Sequence, residues 1–405
     1  MKRSTTFGIA AAGFLGAALA TLPASRAQNG PPPPPPAASP NGTLVRFAFN
    51  GNVAQLPAQF IGNLVFIPVR VNQSQPSMFQ LDTTADTSAI NPARAAELGL
   101  GSLRSPVLNL ANLDAAIPKL DSNPNSGFAS RVGRPYEGTI GNDLLSDMVL
   151  EISYGRQTVR LYDAGSFQYK GGGKSMPLTI HDGLPAVRAK IEIGGHKSGE
   201  VLFIVNTALT APLLISDRYA HQHHLFKGRL KTYPIAPGEL GIGGNAVMAR
   251  AEVFQIGPYS VPGPLTAFAE GDIPGGDDPQ VAGEIGGGML RRFTLTLDYV
   301  RKIAYFEGNS DIRSDDHEDM SGISVAAGGA GFKTLEVTLV RSGSPGSDAG
   351  VQKGDVIEGI DDEGAADISL ASVRSLFTNV GHKYKLLINH DGKTRTANVT
   401  MRRAL

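Results

Sequence analysis

The chain has 405 residues, more than one ordinary core holds at roughly 100 to 200 residues per domain, so two or three domains are expected. Lys plus Arg and Asp plus Glu number 37 each, which excludes the basic field that draws in a phosphate backbone, so nucleic acid is not an expected partner. Cysteine is absent, excluding disulfides, thiol nucleophiles and Cys-ligated zinc, while 49 Gly and 27 Pro favour short strands separated by turns and hence a mainly β class.

Lys2 and Arg3 precede an apolar run over residues 7–22, and Ser25-Arg26-Ala27 places small residues where a signal peptidase reads. That run is shorter than the roughly 20 residues needed to span a bilayer. Residues 1–27 therefore read as a cleaved signal, and an exported protein, periplasmic or extracellular, is expected. The six prolines Pro31 to Pro36 favour a polyproline rod, making 28–45 a disordered tether.

Residues 64–71 and 78–81 are β-rich runs separated by turn formers, predicting a hairpin whose second arm leads into Asp82-Thr83-Thr84-Ala85-Asp86. Asn91 as N-cap, Pro92 and Gly99 predict a short helix after it. About 120 residues later the same order returns: Leu184 to Arg188, then Val201 to Val205 leading into Asn206-Thr207-Ala208, then a short helix over 216–225. Each copy closes on a glycine-bearing segment, Gly138-Thr139-Ile140-Gly141 and Gly283-Glu284-Ile285-Gly286, followed by a strand pair. Two facing lobes, 46–168 and 176–308, are the simplest consequence.

The polar stretch 309–319 reads as a linker. In the tail, 320–405, strands are predicted near 321–325 and 335–340. An amphipathic helix over 369–377 carries Leu370, Val373, Leu376 and Phe377 at helical spacing, and a closing hairpin turns at Asp391-Gly392.

Asp82-Thr83-Thr84-Ala85-Asp86 after an apolar strand resembles the signature of the retropepsin and pepsin-like aspartic proteases, and Thr139-Ile140-Gly141 is similar to the hydrophobic-Gly segment closing their active-site loop. With the second copy the resemblance covers residues 60–307. The tail is similar to a bacterial-type PDZ domain through Gly-Ser-Pro-x-x-x-Ala-Gly-x-x-x-Gly-Asp-x-Ile at 343–357. The resemblance implies two β-barrel lobes plus an α+β PDZ domain, in a monomer that takes a polypeptide into an inter-lobe cleft.

By the same resemblance Asp82 holds the first catalytic carboxylate position and Asn206 the second. Thr83 and Thr207 would cross-link the loops, with Gly141 and Gly286 as structural glycines. Two carboxylates sharing one proton do the chemistry in that family, and an amide cannot donate and recover that proton. Thr84 and Ala208 stand where glycine is usual, so their β-carbons should crowd the site. The expectation is a peptide-binding protein with impaired hydrolysis, in which the Asn206 amide donates to Asp82. The alternatives are an active aspartic endopeptidase, using Asp82 alone or with Asp82 of a second chain, and a non-catalytic assembly scaffold. In the tail, Ser321, Gly322, Ile323 and Val373 would hold a peptide C-terminus beside the helix.

Competing motifs are weaker. Asp86 reads as a turn residue. His221, His223 and His224 lack metal-ligand spacing, Gly171 to Ser175 lacks the first glycine of a phosphate loop, and Gly241-Ile242-Gly243 lacks a dinucleotide context. No metal or cofactor is expected.

Overall fold

The computed structural model describes residues 42–100, 106–125, 127–227, 230–242, 244–270, 273–276 and 278–405. The expected signal segment, most of the proline tether, residues 103–105 and 126 of the stretch 103–134, which by the resemblance should contain the flap over the cleft, and Gly243 lie outside them. Strand Leu44–Phe47 pairs with Leu113–Ala116, so the tether ends by Leu44.

The chain is mainly β and forms two lobes and a tail. Its architecture follows from strands that are apolar on both faces, as strands covered on both sides must be. In Leu64–Val71 the side chains of Val65, Ile67, Val69 and Val71 enter the large shared core, while Leu64 and Phe66 face a second cluster with Phe128, Val132 and Tyr136. The second copy repeats this: Phe203 and Val205 of strand Val201–Val205 join the large core, and Leu202 and Ile204 face Leu184, Ala186 and Val281.

The register repeats with equal fidelity. Ser77–Leu81 pairs in parallel with Gly138–Ile140, Phe79 opposite Gly138 and Leu81 opposite Ile140. In lobe 2 Phe203 lies opposite Gly283 and Val205 opposite Ile285. Helices Pro92–Glu97 and Asp217–Gln222 follow, capped by the Asn91 and Ser216 side chains.

The strand pairs that close each copy do not stay within their lobes. Among the described residues they form one six-stranded sheet, in which Met148–Ser153 of lobe 1 pairs antiparallel with Phe293–Asp298 of lobe 2. Val53–Pro57 completes one edge and Lys174–Pro177 the other. Lys174 and Ser175 are thus strand residues paired with Phe306 and Tyr305, which removes the phosphate-loop reading. Backbone hydrogen bonds across this sheet fix the lobes to each other and the facing loops with them.

The segment 309–319 is not a loose tether. Arg292 is fully buried and donates to the Gly288 carbonyl (2.5 Å), the Ser314 carbonyl (2.9 Å) and the Asp316 carboxylate (2.7 Å). Glu318, also buried, accepts from the Leu405 N–H at 3.2 Å. Composition alone reads such a stretch as solvated; here Asp316 is buried against the Arg292 guanidinium and Glu318 is buried on a backbone N–H, while Arg313, Asp315 and His317 stay exposed.

The tail is a six-stranded sheet among the described residues, with helix Leu370–Leu376 capped by Ser369. Its closing hairpin, Lys383–His390 with Lys393–Thr400, turns through Asp391 (φ 47°) and Gly392 (φ 81°), the conformation an Asp-Gly pair favours. No helix among the described residues is long and apolar enough to cross a membrane.

Candidate active site

The two signature loops leave equivalent strand ends and lock together by a reciprocal set of hydrogen bonds. The Thr83 N–H donates to Thr207 Oγ1 (3.1 Å), and the Thr207 N–H donates to Thr83 Oγ1 (3.2 Å). Each hydroxyl then donates into the other lobe, Thr83 to the Val205 carbonyl (2.5 Å) and Thr207 to the Leu81 carbonyl (2.7 Å). Both threonines are fully buried. The closing segments hold the loops from behind: Asp82 N–H donates to the Ile140 carbonyl (3.0 Å) and Asn206 N–H to that of Ile285 (2.9 Å).

Gly141 and Gly286 sit where no side chain fits. A β-carbon on Gly141 would lie 2.7 Å from the Thr87 backbone, and one on Gly286 would lie 2.2 Å from the Ala211 carbonyl oxygen.

Asp82 and Asn206 meet at this junction, bridged by Thr84. The Thr84 hydroxyl lies 2.7 Å from Asp82 Oδ1 and 3.5 Å from Asn206 Oδ1, and the Thr84 N–H also donates to Asp82 Oδ1 at 2.8 Å. The residue expected to crowd the site thus binds the carboxylate with its side chain. Burial pushes the Asp82 carboxyl above its ordinary value, opposed by the hydrogen bonds from the Thr84 side chain and from the Thr84 and Ala85 N–H groups.

The Asn206 amide does not donate to Asp82 as expected. Its Oδ1 accepts from the Ala208 N–H (2.8 Å), which turns Nδ2 away to donate to Glu284 Oε2 (2.9 Å). Two partners set this direction: the Ala208 N–H two residues on needs an acceptor, and Glu284, on the strand paired beside Ile204, offers one to Nδ2.

Glu284 is the functional candidate that sequence reasoning missed. It is 1% exposed, and its Oε1 has no hydrogen-bond partner. Burial first, then the negative charge at Asp82, pushes its carboxyl up to about 7 against the pull of the Asn206 hydrogen bond. The signal was present in the sequence: aligning the two closing segments puts Glu284 opposite Thr139, an acid in a strand whose five residues are all buried. Two phenols complete the surroundings. Tyr136 shares a hydrogen bond with Thr139 (2.8 Å), and Tyr299 has its hydroxyl buried without a partner. Both are pushed up, chiefly by burial and additionally by the Asp82 charge. The arrangement therefore offers one carboxyl at the loop junction, an amide in the symmetric position, and a second carboxyl behind that amide.

The other candidates fall elsewhere. Asp86 is exposed, and its carbonyl accepts the Asp143 N–H (3.1 Å), a turn role. His221 pairs with Asp217 on its own helix at 3.2 Å, and the ring of His223 packs on His196 and Tyr219. The hairpin Val107–Leu110 with Leu113–Ala116, inside the expected flap stretch, is a core element: its tip is tied to Ala48 (2.8 Å) and Val53 (3.1 Å) through Asn112.

In the tail, Val373 is fully buried, and the amides of the Ser321 loop are already engaged. Ser321 N–H (3.1 Å) and Gly322 N–H (2.8 Å) donate to the Asp319 carboxylate, and Ile323 N–H to Ser321 Oγ (2.9 Å).

No protein-family model matches the chain, and no curated protein matches it in sequence. Among solved structures it is similar to an aspartic proteinase from Irpex lacteus, at 13% identity over 65% of this chain and 99% of that one with a TM-score of 0.40. It is also similar to basic 7S globulin from soybean, at 14% identity over 64% and 95% with a TM-score of 0.37. A third likeness is to a photosystem II D1 C-terminal processing protease, at 26% identity over 20% of this chain with a TM-score of 0.19; the match spans 22% of that protein's length.

Proposed function

We propose that the chain is an exported polypeptide-binding protein on an aspartic-protease-like pair of lobes, with its hydrolytic step impaired. The observation that carries this reading is the Asn206 side chain. General acid and base catalysis by this scaffold needs two carboxyls exchanging one proton, and the residue symmetric to Asp82 is an amide whose N–H is committed to Glu284 (2.9 Å). The intact threonine cross-links keep the lobes apposed without that proton. On the same reading the tail takes a peptide C-terminus by strand addition, and the N-terminal pattern of charge, apolar run and small residues supports export, with a polypeptide partner outside the cytoplasm.

The test is peptide cleavage at pH 4 to 8 by wild type and Asp82→Ala, with binding of a labelled peptide pool measured alongside. Binding without turnover is expected for both. Robust wild-type turnover abolished by Asp82→Ala overturns the impairment.

A working endopeptidase is the second reading, and Glu284 is what favours it: a carboxyl titrating at about 7 holds a proton under mild conditions behind Asn206. Turnover lost in Glu284→Gln would select it.

A further inference from the structure

The tail sheet runs in the order Ile323–Gly328, Thr334–Val340, Val356–Ile360, Lys383–His390, Lys393–Thr400, so Ile323–Gly328 is an edge strand. An unpaired strand edge beside a helix is where an extended peptide adds. In this protein the place is filled by the chain itself. Lobe 1's helix Phe128–Val132 packs against the edge strand. Gly133, which ends that helix with φ +74°, comes so close that a β-carbon on it would lie 3.1 Å from Leu370 Cβ and 3.6 Å from Ala327 Cβ. It therefore sits between the tail helix and the edge strand.

Polar contacts seal the same line. Arg374 reaches from the tail helix to the Val325 carbonyl (3.3 Å), and the Ser324 hydroxyl donates to Glu239 of lobe 2 (2.7 Å). At the end of the groove the Asp319 carboxylate takes the Ser321 and Gly322 amides, the Ser321 hydroxyl (2.6 Å) and Arg341 (2.9 Å). Arg341 in turn lies over the Tyr233 ring of lobe 2 at 4.0 Å.

We propose that the tail domain is held closed by its own lobes, with the 128–133 segment as its internal occupant, so that docking of the tail and strand addition by an outside peptide are mutually exclusive. This rests on the reading of the tail as a peptide-binding domain.

The closed contact carries an electrostatic load that favours release. Arg131 Nε is buried at this contact without a hydrogen-bond partner, and the Arg374 charge on the tail helix repels the Arg131 guanidinium. Burial, then the Arg374 charge, depresses Arg131; Arg374 is depressed by burial and relieved by Glu239. Glu239 is thus a key counter-charge at the joint. The covering helix is also tied toward the Asp82 loop, since the Phe128 ring packs on Tyr136 (5.2 Å between centroids), which bonds to Thr139 (2.8 Å).

The experiment uses the full chain. It contains no cysteine, and the 3.6 Å separation at Gly133 and Ala327 falls within the roughly 3.5–4.5 Å a disulfide needs between β-carbons, so the pair Gly133→Cys and Ala327→Cys can lock the contact. Because a substitution at positive φ can disturb folding, Glu239→Gln with Ser324→Ala serves as an independent, loosening variant. Binding of two fluorescein-labelled pools of random decapeptides, one with free and one with amidated C-termini, is read by polarisation, with amide hydrogen exchange over 323–328; the part of the binding that needs a free C-terminus reports the tail, and the part indifferent to amidation reports the cleft between the lobes. Expected are no free-C-terminus-dependent binding by the oxidised pair, its recovery on reduction, and at least about tenfold tighter free-C-terminus-dependent binding with faster exchange in the loosened variant. Equal free-C-terminus-dependent binding by oxidised and reduced forms overturns the proposal, as does its absence in the loosened variant once exchange has accelerated. None of these readouts depends on Asp82 chemistry, so failure here is distinct from failure of the cleft reading.

Discussion

Replacing Glu284 with glutamine should stabilise the folded chain at pH 8 and leave it nearly unchanged at pH 4. The side chain is 1% exposed, and its carboxyl titrates at about 7 in the fold against 4.5 for the free group. Each tenfold difference in proton affinity is worth about 1.4 kcal/mol, so ionising Glu284 in place costs about 3 kcal/mol. The folded state holds this proton more tightly than the unfolded one. Its contribution is therefore complete below pH 4.5, falls between 4.5 and 7, and is gone above 7. Glutamine mimics the protonated acid at every pH and still offers an oxygen to Asn206 Nδ2, so the variant escapes that loss. The difference in stability between variant and wild type should grow by about 3 kcal/mol from pH 4 to pH 8, or about 6–12 °C in melting temperature for lobes of this size. Urea titration or calorimetry at pH 4, 6 and 8 reads it directly. A difference that stays flat across this range would show that Glu284 is not a buried, unpaired carboxyl, and the site's electrostatics would have to be redrawn.

Asn206→Asp should not restore hydrolysis, because it places a new carboxyl where an amide now lies 2.9 Å from Glu284 and the two acids must share a proton; adding Glu284→Gln should relieve the accompanying instability at pH 8, measured by the same titrations. Thr207→Val removes the hydroxyl that bonds Leu81 and accepts from Thr83, leaving a buried N–H and a buried carbonyl unmet. A loss of about 2–4 kcal/mol is expected, from about 1 kcal/mol per hydrogen bond plus the penalty of unmet groups, and a loss under about 1 kcal/mol would mean that the cross-link does not hold the lobes.

The repeat of strand, signature, helix and glycine segment is written into the chain as period and punctuation, which are local properties. Alternating and continuous apolar runs, the Asn91 and Ser216 caps and the Asp391-Gly392 turn each act within a few residues, so the β class, the short helices and the positions of Asp82 and Asn206 are legible in the order of residues alone. The direction in which the Asn206 amide points is not. It depends on Ala208 on one side and on Glu284, 78 residues away, on the other. Glu284 is visible as an acid in a buried-type strand, but only its parallel pairing beside Ile204 turns it toward the loop junction.

The amino-acid order by itself thus determined the class, the doubling and the loops that hold Asp82 and Asn206. Tertiary structure alone decided that the two closing strand pairs fuse into one sheet, that Asp316 is buried on Arg292, and that Gly133 lies between the strand and helix of the tail. Period and capping are fixed by neighbours in sequence, whereas a buried charge or a covered edge is fixed by whichever distant surface satisfies it best once the chain has folded.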